Sequence, residues 1–287
     1  MLLEFGHMQQ RIIQTMTQHP DVTAPVRYLA PGQHRPIYIA SQGGADAALS
    51  IGADFEEHMV TIHNARNLQP AATLDTQGFC LIDHPTSIAD FYQLDDNIVA
   101  YEAEIMSLVL SATGAADALV FDHTLRSDSR QVRSEHSTRE PASVIHNDYT
   151  PASAVKRVRD LLPEQEAEQR LQQRFAIINV WRSIRGKVLN SPLALCSYAS
   201  AQPTDFVASE RRAKDRIGEL QLVTFNPAHR WFYFPEQKLN ESLLIKTFDS
   251  ATDGRARGVA HTAFDNPLAP AGAPPRESME SRLLVFF

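Results

Sequence analysis

The chain has 287 residues, and its 34 acidic against 27 basic side chains give a formal charge of -7, a poor field for gripping a phosphate backbone, so nucleic acid is not expected as a partner. Hydrophobic residues make up 43% and charged residues 21%, a balance that suits a chain burying its own core and excludes a disordered or collagen-like one. Two cysteines, Cys80 and Cys196, supply neither a disulfide framework nor a thiolate cluster, and no apolar run nears the roughly 18 to 20 residues of a membrane span; a cytoplasmic protein without membrane association is expected. The GHM at 6–8 has the look of an expression-vector remnant, with Met8 the natural start, so residues 1–7 are set aside.

From residue 20 to 90 short strand-like pieces alternate with polar turns: VRYL at 26–29, PIYIA at 36–40, MVTIH at 59–63 and FCLIDH at 79–84. Apolar residues at Ile98, Tyr101, Ile105, Leu108, Val109 and Ala112, ahead of Gly114, predict a helix. DALVFDHTLR at 117–126 and SVIHNDYT at 143–150 return to strand, and 152–174 reads as a helical insertion broken near Pro163. Period-two pattern then dominates RFAIINVWR at 174–182, LQLVTFN at 220–226, RWFYF at 230–234, SLLIKTFDS at 242–250, GVAHTAF at 258–264 and SRLLVFF at 281–287. So many strands joined by turns predict a mainly β fold with peripheral helices, an antiparallel sandwich or barrel, and disfavour a doubly wound nucleotide-binding unit. No phosphate-binding glycine fingerprint, HExxH or GxSxG occurs.

The informative segment is IHNDY at 145–149. On a strand, His146 and Asp148 project to one face, so they can offer an imidazole and a carboxylate to one ion. His261, in an apolar strand late in the chain, is the best third ligand; two imidazoles and one carboxylate leave three positions of an octahedral ferrous ion open. A histidine satisfied by a backbone carbonyl is the competing reading. Arg276 lies fifteen residues beyond His261 and opens RESMESR. On an adjacent strand its guanidinium could pair bidentately with the distal carboxylate of 2-oxoglutarate, with Ser278 on the same face as a further donor. Arg282 has the same parity and is the rival anchor, while Glu277 and Glu280 offer ordinary salt-bridge partners.

Beyond these residues, an ordered series resembles the non-haem Fe(II), 2-oxoglutarate-dependent dioxygenase superfamily. The likeness is nearest to its gibberellin desaturase and cephalosporin methoxylase-like group of hydroxylases and desaturases. The series runs through MVTIHNAR at 59–66, FDHTLR at 121–126, IHNDYT at 145–150, INVWR at 178–182, PLALC at 192–196, RWFYFP at 230–235, LLIKTFDS at 243–250, VAHTAFDNP at 259–267 and RESMESR at 276–282. The resemblance implies a double-stranded β-helix (jelly-roll, cupin-like) core. It implies His146, Asp148 and His261 as the facial metal triad, Arg276 with Ser278 as the cosubstrate pattern, and Fe(II), 2-oxoglutarate and O2 as requirements. It also implies hydroxylation or desaturation of a small organic or natural-product substrate in secondary metabolism.

One dioxygenase domain is expected over 8–287, with 8–116 an N-terminal β/helical elaboration, 117–287 the principal jelly-roll core, and the insertion near 152–174. Asn179 and Arg182 are plausible cosubstrate contacts, although Arg182 has the wrong strand parity unless the strand twists or bulges. Tyr149, Trp181, Trp231, Tyr233 and Lys246 are substrate-side candidates. His84 and His123 read as structural. Two other classes stay open on the residues alone: a cupin-like isomerase or hydrolase that uses no 2-oxoglutarate, and a nonenzymatic small-molecule-binding β-sandwich. A homodimer is the prior for a soluble enzyme, with no surface that specifies it.

Overall fold

The computed structural model describes residues 19–213 and 216–287; the stretch 1–7 set aside above lies outside them. In chain order, strands β1 (Val22–Leu29), β2 (Ile37–Ile39), β3 (Ser50–Ile51), β4 (Phe55–Asn64) and β5 (Phe79–Asp83) precede helix α1 (Ile98–Thr113). Next come β6 (Asp117–Ser127), α2 (Arg130–His136), β7 (His146–Asn147), α3 (Pro151–Leu161) and α4 (Glu164–Leu171). The remaining strands are β8 (Phe175–Ser183), β9 (Leu193–Cys196), β10 (Phe206–Ala213), β11 (Arg216–Val223), β12 (Trp231–Tyr233), β13 (Glu241–Asp249), β14 (His261–Ala263) and β15 (Glu277–Phe286).

Among the described residues these strands form two sheets. The large one is curled and runs β1-β4-β12-β9-β14-β7-β11-β10-β2-β3; the small one runs β5-β13-β8-β15-β6. The result is mainly β with peripheral helices, consistent with a jelly-roll, cupin-like core. The early strands are woven into both sheets, β1 to β4 into the large one and β5 into the small one.

Strands β8 and β13 are buried along their whole length because each face of the small sheet is covered. On the outer face, Ile178, Val180 and Leu283 pack against Tyr101, Ile105 and Val109 of α1. Each such side chain contributes roughly 1.5–3 kcal/mol by leaving water. The helix stops where Gly114, at φ 68°, takes a left-handed conformation and donates its N–H to the Leu110 carbonyl. On the inner face, Trp181, Leu243 and Ile245 meet Leu195, Phe232, Phe234 and Val259 from the large-sheet side. Helices α3 and α4 close one end of the sandwich over Phe175, Ile177, Phe248 and Phe286.

Two segments depart from the strand pattern of the sequence. SVIHNDYT yields only a two-residue strand, because Thr150 caps α3 through a reciprocal pair with Ser153, and Pro151 stands in its first turn. The helix therefore pulls Asp148 out of the ladder directly after His146 and Asn147. Strand β10, FVASERRA, was not anticipated, since its polar residues mask the apolar alternation.

Candidate active site

His146 and His261 stand directly opposite each other on β7 and β14, with ring centroids 4.5 Å apart. Each Nδ1 lies against a backbone carbonyl two residues back, Val144 at 2.9 Å and Val259 at 3.0 Å. A carbonyl only accepts, so each Nδ1 carries a proton there, and Nε2 is the nitrogen left to face an ion. The carbonyl-satisfied histidine and the ligand histidine are thus the same residue here, one nitrogen serving each role. Burial and the neighbouring His261 push the His146 pKa down to about 3, so its imidazole is neutral at physiological pH.

Asp148 Oδ1 lies 3.6 Å from His146 Nε2. One ligand atom from each of His146, Asp148 and His261 falls within 4.8 Å of the others. The opposite oxygen, Oδ2, accepts from Asn179 Nδ2 at 2.8 Å and from Arg282 Nε at 3.0 Å. Burial opposes the charge on Asp148, but the Arg282 guanidinium and the Asn179 bond outweigh it and hold the carboxyl far below the ordinary range. Two imidazoles and one ionised carboxylate, with second partners that fix their orientation, suit a divalent iron with open coordination positions.

A narrow cavity between the sheets begins at His146 and His261 and is lined further by Arg126, Trp181, Arg276 and Glu280. Arg276 is 2% exposed; its Nη1 donates to the Ser191 carbonyl at 2.6 Å and its guanidinium lies 5.3 Å from the Trp181 ring centre. Its Nε and the Ser278 hydroxyl are buried without a partner. A cation at the wall of a cavity shared with both histidines, and a hydroxyl two residues on, each with a buried atom lacking a partner, fit the carboxylate of a bound dicarboxylate.

The comparisons with known proteins agree with this geometry. A family model described as an oxidoreductase/YMDC permease-like domain matches residues 26–286, and the chain belongs to that family. The Fe(II)/2-oxoglutarate-dependent dioxygenase nvfI of Aspergillus novofumigatus is 32% identical over 243 residues, covering 80% of this chain and 83% of the relative. The chain is a non-haem Fe(II)/2-oxoglutarate-dependent dioxygenase. The hydroxylase/desaturase CTB9 of Cercospora beticola is 32% identical over 254 residues, 81% of this chain and 78% of its own length. A solved structure of the iron and alpha-ketoglutarate-dependent endoperoxidase NvfI superposes with a TM-score of 0.78 at 27% identity, covering 93% of this chain and 98% of that one. This dioxygenase is an oxygenase of the hydroxylase/desaturase group for a small organic substrate, requiring Fe(II), 2-oxoglutarate and O2. The cupin-like isomerase or hydrolase and the nonenzymatic β-sandwich fall with that membership. No helix among the described residues is long and apolar enough to cross a membrane.

Several residues expected to contact cosubstrate or substrate are engaged by other partners in the dioxygenase. Arg282 is not an open anchor, because Asp122, Asp148 and Glu280 occupy its guanidinium. Arg182 faces the outer side of the small sheet, where it donates to the His84 carbonyl and the Ser242 hydroxyl; its strand neither twists nor bulges enough to turn it inward. Lys246 sits across from Ile178, one position out of register with the inward pair Ile245 and Asn179. Its Nζ donates to Asp249 at 2.8 Å and to Asp75 at 3.0 Å. Trp231 and Tyr233 are also displaced. The cross-strand row of the two histidines continues from His261 to Leu195 and Phe232, so Phe232 faces inward and Trp231 outward. Trp231 Nε1 donates to Tyr28, and the Tyr233 hydroxyl to the Pro20 carbonyl.

Others are brought together. Asn179 bridges Asp148 and Glu280, the latter at 2.6 Å; Trp181 lies against Arg276; and Tyr149 lines a second cavity beside Asp148. His123 is held by Ser281 and Glu102, and His84 stays outside the cavity. Arg126 and Glu280 at the cavity wall were underrated. The signal for Glu280 is the two-residue rhythm of Arg276, Ser278, Glu280 and Arg282, which begins one residue before β15; Arg126 reaches the wall by pairing across from Ser278.

Proposed function

We propose that His146, Asp148 and His261 hold the iron, that Arg276 and Ser278 receive the distal carboxylate of 2-oxoglutarate, and that the substrate reaches the centre from the Asp148 side. One observation supports this reading: two of the three converging ligands, His146 and His261, share a cavity with Arg276, whose buried Nε, like the nearby Ser278 hydroxyl, has no partner. Iron and 2-oxoglutarate bound there supply the oxidising power to remove a hydrogen from an unactivated carbon, with succinate and CO2 as coproducts. The chain's own work is positional. The carbonyls of Val144 and Val259 fix the imidazoles, Asn179 and Arg282 aim the Asp148 carboxylate, and Trp181 supports Arg276. The naming of the Cercospora relative supports hydroxylation or desaturation, and a natural-product substrate fits that company. A cytosolic setting is supported by Cys80 and Cys196, which are both free thiols. Residues 8–287 are read as one dioxygenase domain.

Anaerobic titration with Fe(II) and 2-oxoglutarate tests the assignment. The wild-type protein is expected to give a metal-to-ligand charge-transfer band. His146→Ala and His261→Ala are each expected to lose most iron binding while remaining folded. Wild-type iron affinity in both variants would reject the ligand set.

A further inference from the structure

Asp148 also borders a second cavity, of about 210 Å³. It is lined by five arginines, Arg139, Arg157, Arg211, Arg216 and Arg282, against three carboxylates, Asp122, Asp148 and Glu219. Two positive charges are left over by that count, in a chain whose formal charge is -7. The four other arginines face more imbalance than the count shows, because the carboxylates are already engaged. Asp122 and Asp148 pair with Arg282, and Glu219 accepts from Arg35 and from the Thr150 hydroxyl. Arg139, Arg157, Arg211 and Arg216 have no side-chain ion pair or hydrogen bond among the described residues.

These four cations come from four parts of the fold: the segment after α2, helix α3, and strands β10 and β11. All are partly buried. Arg157 has a fully buried Nε with no partner, and its guanidinium lies 4.5 Å from the Phe121 ring centre, which fixes its orientation. Burial pushes the Arg139, Arg157 and Arg211 pKa values down, and neighbouring arginines add to the shift: Arg126 and Arg211 at Arg139, Arg216 at Arg157, Arg282 at Arg211. Mutual repulsion inside a concave wall is unfavourable in the free protein, and an anion that several guanidiniums share would relieve it. A solvated arginine rim needs neither this convergence nor a partnerless buried nitrogen.

We propose that this cavity receives the anionic end of a substrate carrying at least two negative charges, as two or more carboxylates or a phosphate ester, so that the bound anion holds the rest of the molecule beside Asp148. The proposal rests on the iron-site reading for its catalytic meaning, but not for the binding itself.

Tricarballylate, its neutral trimethyl ester and inorganic pyrophosphate serve as probes. Calorimetry and thermal shift at low salt are run on the metal-free wild type and on Arg139→Gln/Arg211→Gln, Arg216→Gln, Arg276→Gln and His261→Ala. At least one of the two anions is expected to bind the wild type and raise its melting temperature, whereas the ester does neither. The double variant is expected to lose at least about tenfold in affinity, and Arg216→Gln a smaller factor. Both should keep the anaerobic Fe(II)/2-oxoglutarate band, which also shows that they fold. The stronger of the two anions identifies carboxylate or phosphate as the recognised group. His261→Ala is expected to bind the anion normally, so an arginine-dependent anion site without any iron band in the wild type would sink the metal assignment and leave this proposal standing. Failure of both anions to bind, equal binding by the ester, undiminished affinity in the double variant, or loss confined to Arg276→Gln would each overturn it.

Discussion

Arg276→Gln separates cosubstrate binding from metal binding. In the folded protein the Arg276 guanidinium is buried, bonded to the Ser191 carbonyl and set against Trp181. Burial and the charge of Arg126 push its pKa down to about 10, so it remains a cation at pH 7. Glutamine keeps a donor and removes both the charge and the fork. Truncating one partner of a buried, hydrogen-bonded charge pair costs at least about 2 kcal/mol, and about 1.4 kcal/mol is tenfold in Kd, so 2-oxoglutarate affinity should fall roughly thirty-fold or more. Fe(II) affinity should change by less than about threefold, since Arg276 is not one of the three converging ligands. The melting temperature should move little, because the lost bond to Ser191 is offset by removing a buried charge that faces Arg126. The assay is an anaerobic titration of the charge-transfer band with 2-oxoglutarate, with Fe(II) binding measured separately by equilibrium dialysis. A folded, iron-competent variant with wild-type affinity for 2-oxoglutarate would refute the anchor.

Asn179→Ala removes the donor shared by Asp148 and Glu280 and is expected to lower Fe(II) affinity about 10- to 100-fold without unfolding the chain, as dialysis would read; unchanged affinity would mean that Asp148 is aimed by Arg282 alone. Asp249 is buried beneath Lys246 and Arg174. Burial opposes its charge, but the bonds from Arg174 and Lys246 win and hold its pKa below the ordinary 3.8. A depressed folded pKa stabilises fully above the unfolded value and is lost as pH falls through 3.8 toward the folded value. Asp249→Asn should therefore lose roughly 3 kcal/mol or more at pH 7, and its melting temperature should fall less steeply than that of the wild type on acidification, as calorimetry would show. Parallel acid limbs for the two proteins would exclude Asp249 as a source of the pH dependence.

The sequence by itself carried the local chemistry. Period-two runs and turn residues announced a β fold, and the three-to-four spacing from Ile98 to Ala112 announced α1, because each periodicity reports one buried face. Strand parity put His146 with Asp148 and Arg276 with Ser278, since a two-residue step returns to the same face wherever the backbone is extended. Only the tertiary structure decided what lay across from each face. The register of β12 against β9 turned Phe232 inward in place of Trp231, and that of β13 against β8 sent Lys246 to Asp249 and away from the cavity. No local pattern encodes register between strands distant in the chain. What distinguishes Arg276 from Arg282 is tertiary for the same reason: both face inward, but three carboxylates from β6, β15 and the segment after β7 pair with Arg282, and among the described residues none forms an ion pair with Arg276. The arginine cavity was invisible in sequence because its cations lie on separate elements, and a net charge of -7 hides a concentration of positive charge that exists only after those elements pack together.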